Sequence, residues 1–286
     1  MSKLEQALEK AIRMREAIFS PSLSPSASRS GETPKRLEVP RFDPGPSIID
    51  PARLDHHLVC ITDPASAAAE QYRKLKASIL SNTRQDNKNV LMVASADVGE
   101  GKSITSINLA VTLAQGVDNT VLLVDADLRK PSVSRYLGIK TEPGLSDYLT
   151  GKAELSDILI HTGIGKLVIL PAGSHYDNPA ELHSSNRMRE LILEMKGRYT
   201  DRYIILDSSP LLVSADAISL SGNADGVLLV VQASKTRMDV VEKALSLIKN
   251  APVIGVVFNN VPDYLGRNIY PYIYHQYDKN TPVADT

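Results

Sequence analysis

Ala96-Asp97-Val98-Gly99-Glu100-Gly101-Lys102-Ser103 is the stretch from which the fold can be read. An apolar run, residues 90–94, precedes it, and a stretch of helical character, 103–114, follows it. Strand, glycine-containing turn, helix is the setting in which backbone N–H groups and a helix N-terminus close around phosphate oxygens. Gly99 and Gly101 let the backbone bend sharply and approach a ligand closely. Lys102 is placed to neutralise charge between the β- and γ-phosphates of a nucleotide, and the Ser103 hydroxyl to ligate Mg²⁺. The usual first glycine of the pattern is replaced by Ala96.

Working outward, two acidic strand ends stand where such a loop needs them. The run 121–124 closes on Asp125-Ala126-Asp127-Leu128-Arg129, and the run 203–206 on Asp207-Ser208-Ser209-Pro210. Ligands of doubly wound sheets bind at the carboxyl ends of the strands. Asp125, Asp127 and Asp207 are therefore expected to converge on the γ-phosphate and its Mg²⁺. One such aspartate could equally cap a helix or turn; three at the ends of apolar runs, in a chain with a phosphate loop, point to metal and acid/base work.

Apolar runs at 90–94, 121–124, 167–170, 203–206, 227–231 and 253–258 read as buried strands, and the stretches 103–114, 188–196, 215–221 and 238–249 as helices. This alternation implies a parallel sheet covered on both faces. The fold class is α/β, a doubly wound and mostly parallel sheet of the P-loop NTPase type. A chain of 286 residues, 43% of them apolar, can bury one such core, which is placed at residues 52–260. Residues 1–19 form an amphipathic pattern with Leu4, Leu8, Ala11 and Ile12 on one face, suited to a solvated helix or to docking on a partner. Residues 20–51 are rich in Ser and Pro and read as a flexible linker. Residues 261–286 carry Tyr264, Tyr270, Tyr272, Tyr274 and Tyr277, in a chain with only three Phe and no Trp. Extended backbone would put Tyr270, Tyr272 and Tyr274 on one side.

Composition excludes several classes. A formal net charge of -1 provides no basic footprint for nucleic acid. The lone Cys60 cannot form an intrachain disulfide, and the six histidines show no ligand spacing, so a structural metal is not expected. No apolar run is long enough to span a bilayer and the N-terminus lacks a signal-peptide core, so a cytoplasmic protein is expected.

Together these motifs resemble those of the bacterial protein-tyrosine kinases. The run ending Asp125-x-Asp127-x-Arg129 is similar to the family's extra acidic motif, often called Walker A′, and Asp207-x-x-Pro210 to its Walker B motif. The resemblance runs from about Leu58 to the C-terminus and takes in residues 65–76, Pro143-Gly144-Leu145-Ser146-Asp147-Tyr148-Leu149 and Asn178-Pro179-Ala180-Glu181-Leu182. It is to the separate cytoplasmic kinase of exopolysaccharide or capsule systems. The related partitioning and division-site ATPases carry a lysine where this chain has Asp97. Two positions depart from the family pattern: Val98 replaces a usual proline, and Lys76 replaces the last arginine of a Glu-x-x-Arg-x-x-Arg helix begun by Glu70 and Arg73. An arginine-to-lysine change loses the bidentate fork while keeping the charge.

The resemblance implies an ATP- and Mg²⁺-dependent tyrosine autokinase, with Lys102, Asp125, Asp127 and Asp207 as its catalytic group. It implies ATP contacts from Val98, Gly99, Glu100, Gly101, Lys102, Ser103, Ile104, Arg129 and Asn259, and metal contacts from Ser103, Asp127 and Asp207. Arg129 suits either a phosphate or an acid partner, and Asn259 either adenine or a strand-end turn. Asp125 is the candidate to orient or deprotonate a phenol, although sequence alone does not separate its role from that of Asp127. The tail tyrosines become the phosphoacceptors, and Glu70, Arg73 and Lys76 the contacts of a homo-oligomeric ring. The implied partners are a transmembrane polysaccharide co-polymerase, which would bring the kinase to the inner face of the membrane, and a tyrosine phosphatase. The competing expectation is a non-kinase P-loop ATPase or an ATP-dependent assembly switch.

Overall fold

The computed structural model describes residues 49–84, 88–198, 201–249 and 251–262, all within one compact unit, Arg41–Thr286. The helix expected over 1–19, most of the linker and the five tail tyrosines lie outside the described residues. Description begins at Ile49, inside the expected linker, and that side chain is already buried.

Seven strands make one sheet: β1 (Val90–Ser95), β2 (Thr120–Asp125), β3 (Ile160–His161), β4 (Leu167–Leu170), β5 (Arg202–Asp207), β6 (Gly226–Gln232) and β7 (Val253–Asn259). Their order is β3-β4-β2-β5-β1-β6-β7, with every pairing parallel except β3 on β4. The helices among the described residues are α1 (Val59–Thr62), α2 (Ala67–Thr83), α3 (Lys102–Ala114), α4 (Val133–Leu137), α5 (Leu145–Leu149), α6 (Leu155–Ile158), α7 (Pro179–Ser184), α8 (Asn186–Arg198), α9 (Ala215–Ser221) and α10 (Met238–Leu247). All six apolar runs are strands. The antiparallel β3 escapes the pattern because two residues carry no period.

Successive strand residues face opposite ways, and the sheet divides its core accordingly. Met92, Leu122, Ile204 and Leu229 join one cluster with Leu191 and Met195 of α8 and Ala244 of α10. Leu91, Leu123, Ile205 and Leu228 join the other with Ile107, Leu109 and Leu113 of α3. Because α1 and α2 cover its outer side, α3 is buried along nearly its whole length. The helix that follows the phosphate loop is thus fixed in the core.

The expected burial on both faces fails at β7. This edge strand leaves Val253, Val256 and Phe258 exposed, since it pairs only with β6. Its apolar run looks like that of a central strand, and only the sheet order tells them apart.

Candidate active site

The register of the sheet brings the acids together. β5 lies between β1 and β2, and Asp125 and Asp207 are direct cross-strand partners at the last step of the β2–β5 ladder. The phosphate loop leaves β1 beside them. Its turn needs left-handed backbone at Gly99 (φ 76°) and Gly101 (φ 90°), which a side chain would strain.

Lys102, the first residue of α3, points back over the strand ends. Its Nζ donates to Asp127 Oδ2 at 2.9 Å and to Ser103 Oγ at 3.1 Å, and lies 3.9 Å from Asp207 Oδ2. Asp207 Oδ1 accepts from Ser106 Oγ at 2.9 Å. Asp125 Oδ2 accepts the backbone N–H groups of Ser132 and Val133 at 3.1 and 3.0 Å. Asp125 Oδ1 and Asp207 Oδ2 are buried and have no hydrogen-bond partner among the described residues.

Burial and then the facing Asp207 push the Asp125 carboxyl up to about 8. Burial raises Asp207 also, opposed by the Lys102 ammonium and then by the nearby Ser103 and Ser106 hydroxyls. Burial works against the Lys102 ammonium, but Asp207, Asp127 and Asp125 outweigh it and hold its pKa above the ordinary lysine range. Several acids around one cation leave negative charge uncompensated, which favours a further cation. The orphaned Asp207 oxygen, with Ser103 and Asp127 beside it, fits Mg²⁺, which takes oxygen ligands.

The other expected site residues divide. Ile104 packs partly against the α3-side core, while Val98 stands exposed at the loop tip. Arg129 pairs with an acid: its guanidinium meets Asp216 of α9 through Nε and, at 3.2 Å, through Nη2. Asn259 touches the phosphate loop itself, donating from Nδ2 to the Glu100 carbonyl at 2.9 Å. Glu70 and Arg73 pair within α2 at 2.6 Å, and Arg73 Nη1 donates to the Pro64 carbonyl at 2.9 Å. Lys76 Nζ donates at 2.9 Å to the Thr112 carbonyl in the last turn of α3.

Several residues of the site were missed from sequence. Ser132 donates from Oγ to Ser103 Oγ at 2.8 Å, and its place seven residues after Asp125 was a usable signal. Ser106 lies one helical turn beyond Lys102, on the same face. Nothing local marks Asp216, or His183 of α7, which is fully buried with neither ring nitrogen hydrogen-bonded among the described residues. Burial drives the His183 imidazole down to about 4, against the nearby Asp216 and Asp127 carboxylates. Elsewhere the turn Asp55-His56-His57 gathers three potential metal-ligand atoms within 4.8 Å, a grouping that spacing did not suggest. Asp55 Oδ1 accepts the His57 backbone N–H at 2.9 Å, and both rings are largely exposed.

A phosphate loop feeding a buried helix, with acids at two neighbouring strand ends, defines a P-loop nucleotide-binding protein. The family model for the AAA domain matches residues 88–253. The tyrosine-protein kinase YwqD of Bacillus subtilis is 35% identical over 210 residues, covering 73% of this chain and 87% of that protein. Among solved structures, the chimerical protein CapA2B2 superposes with a TM-score of 0.68 at 29% identity, covering 74% of this chain and 92% of that one. The kinase domain of the Escherichia coli tyrosine kinase ETK gives 0.64 at 30% identity, covering 72% and 83%. This chain belongs to the bacterial tyrosine-protein kinases.

Proposed function

We propose that the kinase transfers the γ-phosphoryl group of ATP to tyrosines of its own C-terminal tail, Tyr264, Tyr270, Tyr272, Tyr274 and Tyr277, on a neighbouring copy of the chain. The observation that carries this reading is the convergence of Lys102, Ser103 and three aspartates on one point at the strand ends, with two buried carboxylate oxygens unpartnered.

The loop N–H groups and Lys102 hold the phosphates, Lys102 exchanging its contact with Asp127 for phosphate oxygens. Ser103, Asp127 and Asp207 would hold Mg²⁺, which would supply neutralisation of the charge on the transferred group. The phenol oxygen forms its bond to the γ-phosphorus as the bond to the β,γ-bridging oxygen breaks, and ADP leaves. The phenol proton passes to Asp125. Asp125 is suited to this by position, closing β2 beside Asp207 with its Oδ1 left without a hydrogen-bond partner among the described residues.

Each phosphate adds about -1.5 to -2 charges, which opposes re-entry of a tail beside these acids. In this reading unphosphorylated tails hold copies together in a ring, phosphorylation releases them, and a phosphatase resets the cycle. The cytoplasmic segment of a membrane polysaccharide co-polymerase is the proposed activator, and export of the polymer the regulated process. Among the described residues no helix is long and apolar enough to cross a membrane; in this reading the partner brings the kinase to the membrane.

Intact-mass spectrometry before and after MgATP tests the transfer, with Lys102→Met as control. Phosphate increments mapping to Tyr264–Tyr277 in the wild type alone are expected. No increment, even with the partner's cytoplasmic segment added, would favour an ATPase or an assembly switch.

A further inference from the structure

Glu100 is a carboxylate inside a loop built to receive phosphate, which is electrostatically the wrong sign. It is nevertheless only 4% exposed, and both of its oxygens are engaged. Oε2 accepts the Asp97 backbone N–H at 2.9 Å, closing the neck of the loop. Oε1 accepts the hydroxyl of Thr236, which lies in the turn after β6. Thr236 Oγ in turn accepts the Gln232 N–H at 3.1 Å. That turn is tight, with the Thr236 N–H on the Gln232 carbonyl at 3.0 Å and Ser234 in left-handed backbone (φ 60°).

A second tie runs parallel to the first. The Glu100 carbonyl accepts Asn259 Nδ2 at 2.9 Å, and the Asn259 carbonyl accepts the Ala233 N–H at 2.9 Å. Gly101 makes room for it, because a Cβ there would lie 1.9 Å from Asn259 Nδ2. The phosphate loop is therefore held from behind by the ends of β6 and β7. Burying a carboxylate is costly unless each oxygen is satisfied. Here the hydrogen bonds from Asp97 and Thr236 satisfy one oxygen each.

We propose that Glu100 and Thr236 form a latch that presets the phosphate loop for nucleotide, making the Thr236 hydroxyl a positioning residue for binding. The latch fixes the peptide units from Asp97 to Gly101 before phosphate arrives, so binding does not bear the cost of ordering them. The inference rests on the nucleotide-binding reading of this site and adds to it a determinant 136 residues away in sequence.

Titration with a fluorescent ADP analogue and Mg²⁺, on the full chain, tests it. Thr236→Val removes the hydroxyl at nearly constant volume and is expected to raise Kd about tenfold, while Thr236→Ser stays within about twofold. Glu100→Ala is expected to raise Kd similarly, and the double variant Glu100→Ala/Thr236→Val no further, because the two side chains act as one unit. At saturating ATP the rate of phosphate transfer should hold in Thr236→Val. A Thr236→Val Kd equal to wild type overturns the latch, whether or not its unfolding midpoint falls, and so do Glu100 and Thr236 effects that multiply. A wild-type chain that binds no ADP overturns the nucleotide-binding reading itself, a result distinct from either.

Discussion

Lys102 with Asp125, Asp127 and Asp207, and Glu70 with Arg73 and Lys76, are both sets of opposite charges that spacing in the sequence singles out. They sit in different physical surroundings. The first set gathers at the ends of buried strands, where Asp125 and Asp207 have no exposure at all. The second runs along α2, where the Glu70 and Arg73 side chains keep 32% and 44% of their surface in solvent. A charge at the end of a central strand has few alternatives to its neighbours, so its partners follow from the sheet order. A charge on a helix surface has water as an alternative, and its spacing says little about what it touches. Each substitution below probes one side of this contrast.

The largest effect belongs at Lys102. Lys102→Met removes the only cation facing three acids in the described site and the donor to the phosphates. Loss of phosphate transfer beyond about a thousandfold is expected, read as phosphate incorporated per chain over time. The contrast predicts a second consequence: without Lys102 the Asp125–Asp207 pair holds its protons to still higher pH. Retention of more than a tenth of wild-type transfer would mean that burial at the strand ends does not mark the chemistry.

His183 extends the buried side of the contrast to a group held neutral. Its folded pKa, about 4, lies below the ordinary imidazole value of 6.5. As pH falls through 6.5 the unfolded chain takes up a proton that the folded chain refuses until about 4, so stability is present at neutral pH and is lost in that window. Between pH 7 and pH 5 the loss attributable to His183 is about 2 kcal/mol. Urea unfolding at the two pH values should show this difference shrinking in His183→Leu. An unchanged pH dependence would mean that the Asp216 and Asp127 carboxylates offset burial and let the folded ring take its proton as readily as the unfolded one.

Lys76 stands between the two sets. It begins on the exposed helix but ends on the Thr112 carbonyl, at the C-terminal end of the helix whose N-terminus carries the phosphate loop. A cation there satisfies a carbonyl and complements the helix dipole. Lys76→Met is expected to cost about 1 kcal/mol in urea unfolding, and Lys76→Arg less if the guanidinium reaches the same carbonyl. No cost in Lys76→Met would return Lys76 to the exposed set.

These cases show which parts of the molecule the sequence discloses. The six longer strands and the phosphate loop are legible because period, length and glycine placement are local properties. Asp125 and Asp207 are legible because each follows an apolar run directly, and Asp127 because it stands two residues beyond Asp125. The Arg129–Asp216 pair, the Glu100–Thr236 bond and the burial of His183 depend on which elements become neighbours, and their partners lie far along the chain. The exposure of β7 is hidden for the same reason: edge and centre share one apolar pattern until the order of strands is known.

The smallest effect on the fold is expected at Arg73, and it separates the two sets most cleanly. Its bonds to Glu70 and to the Pro64 carbonyl are solvent-accessible, so Arg73→Ala should change unfolding free energy by less than about 0.5 kcal/mol. The family resemblance assigns the same side chain to contacts between copies of the chain. Sedimentation of Arg73→Ala over a range of concentrations should then show weaker assembly at unchanged stability, because only association needs the charge. A loss of stability above about 1 kcal/mol would mean that the exposed pair acts within the fold as the buried acids do. Stability and assembly both matching wild type would leave Arg73 as an ordinary solvated helix charge and move the search for the ring contacts to the exposed face of β7.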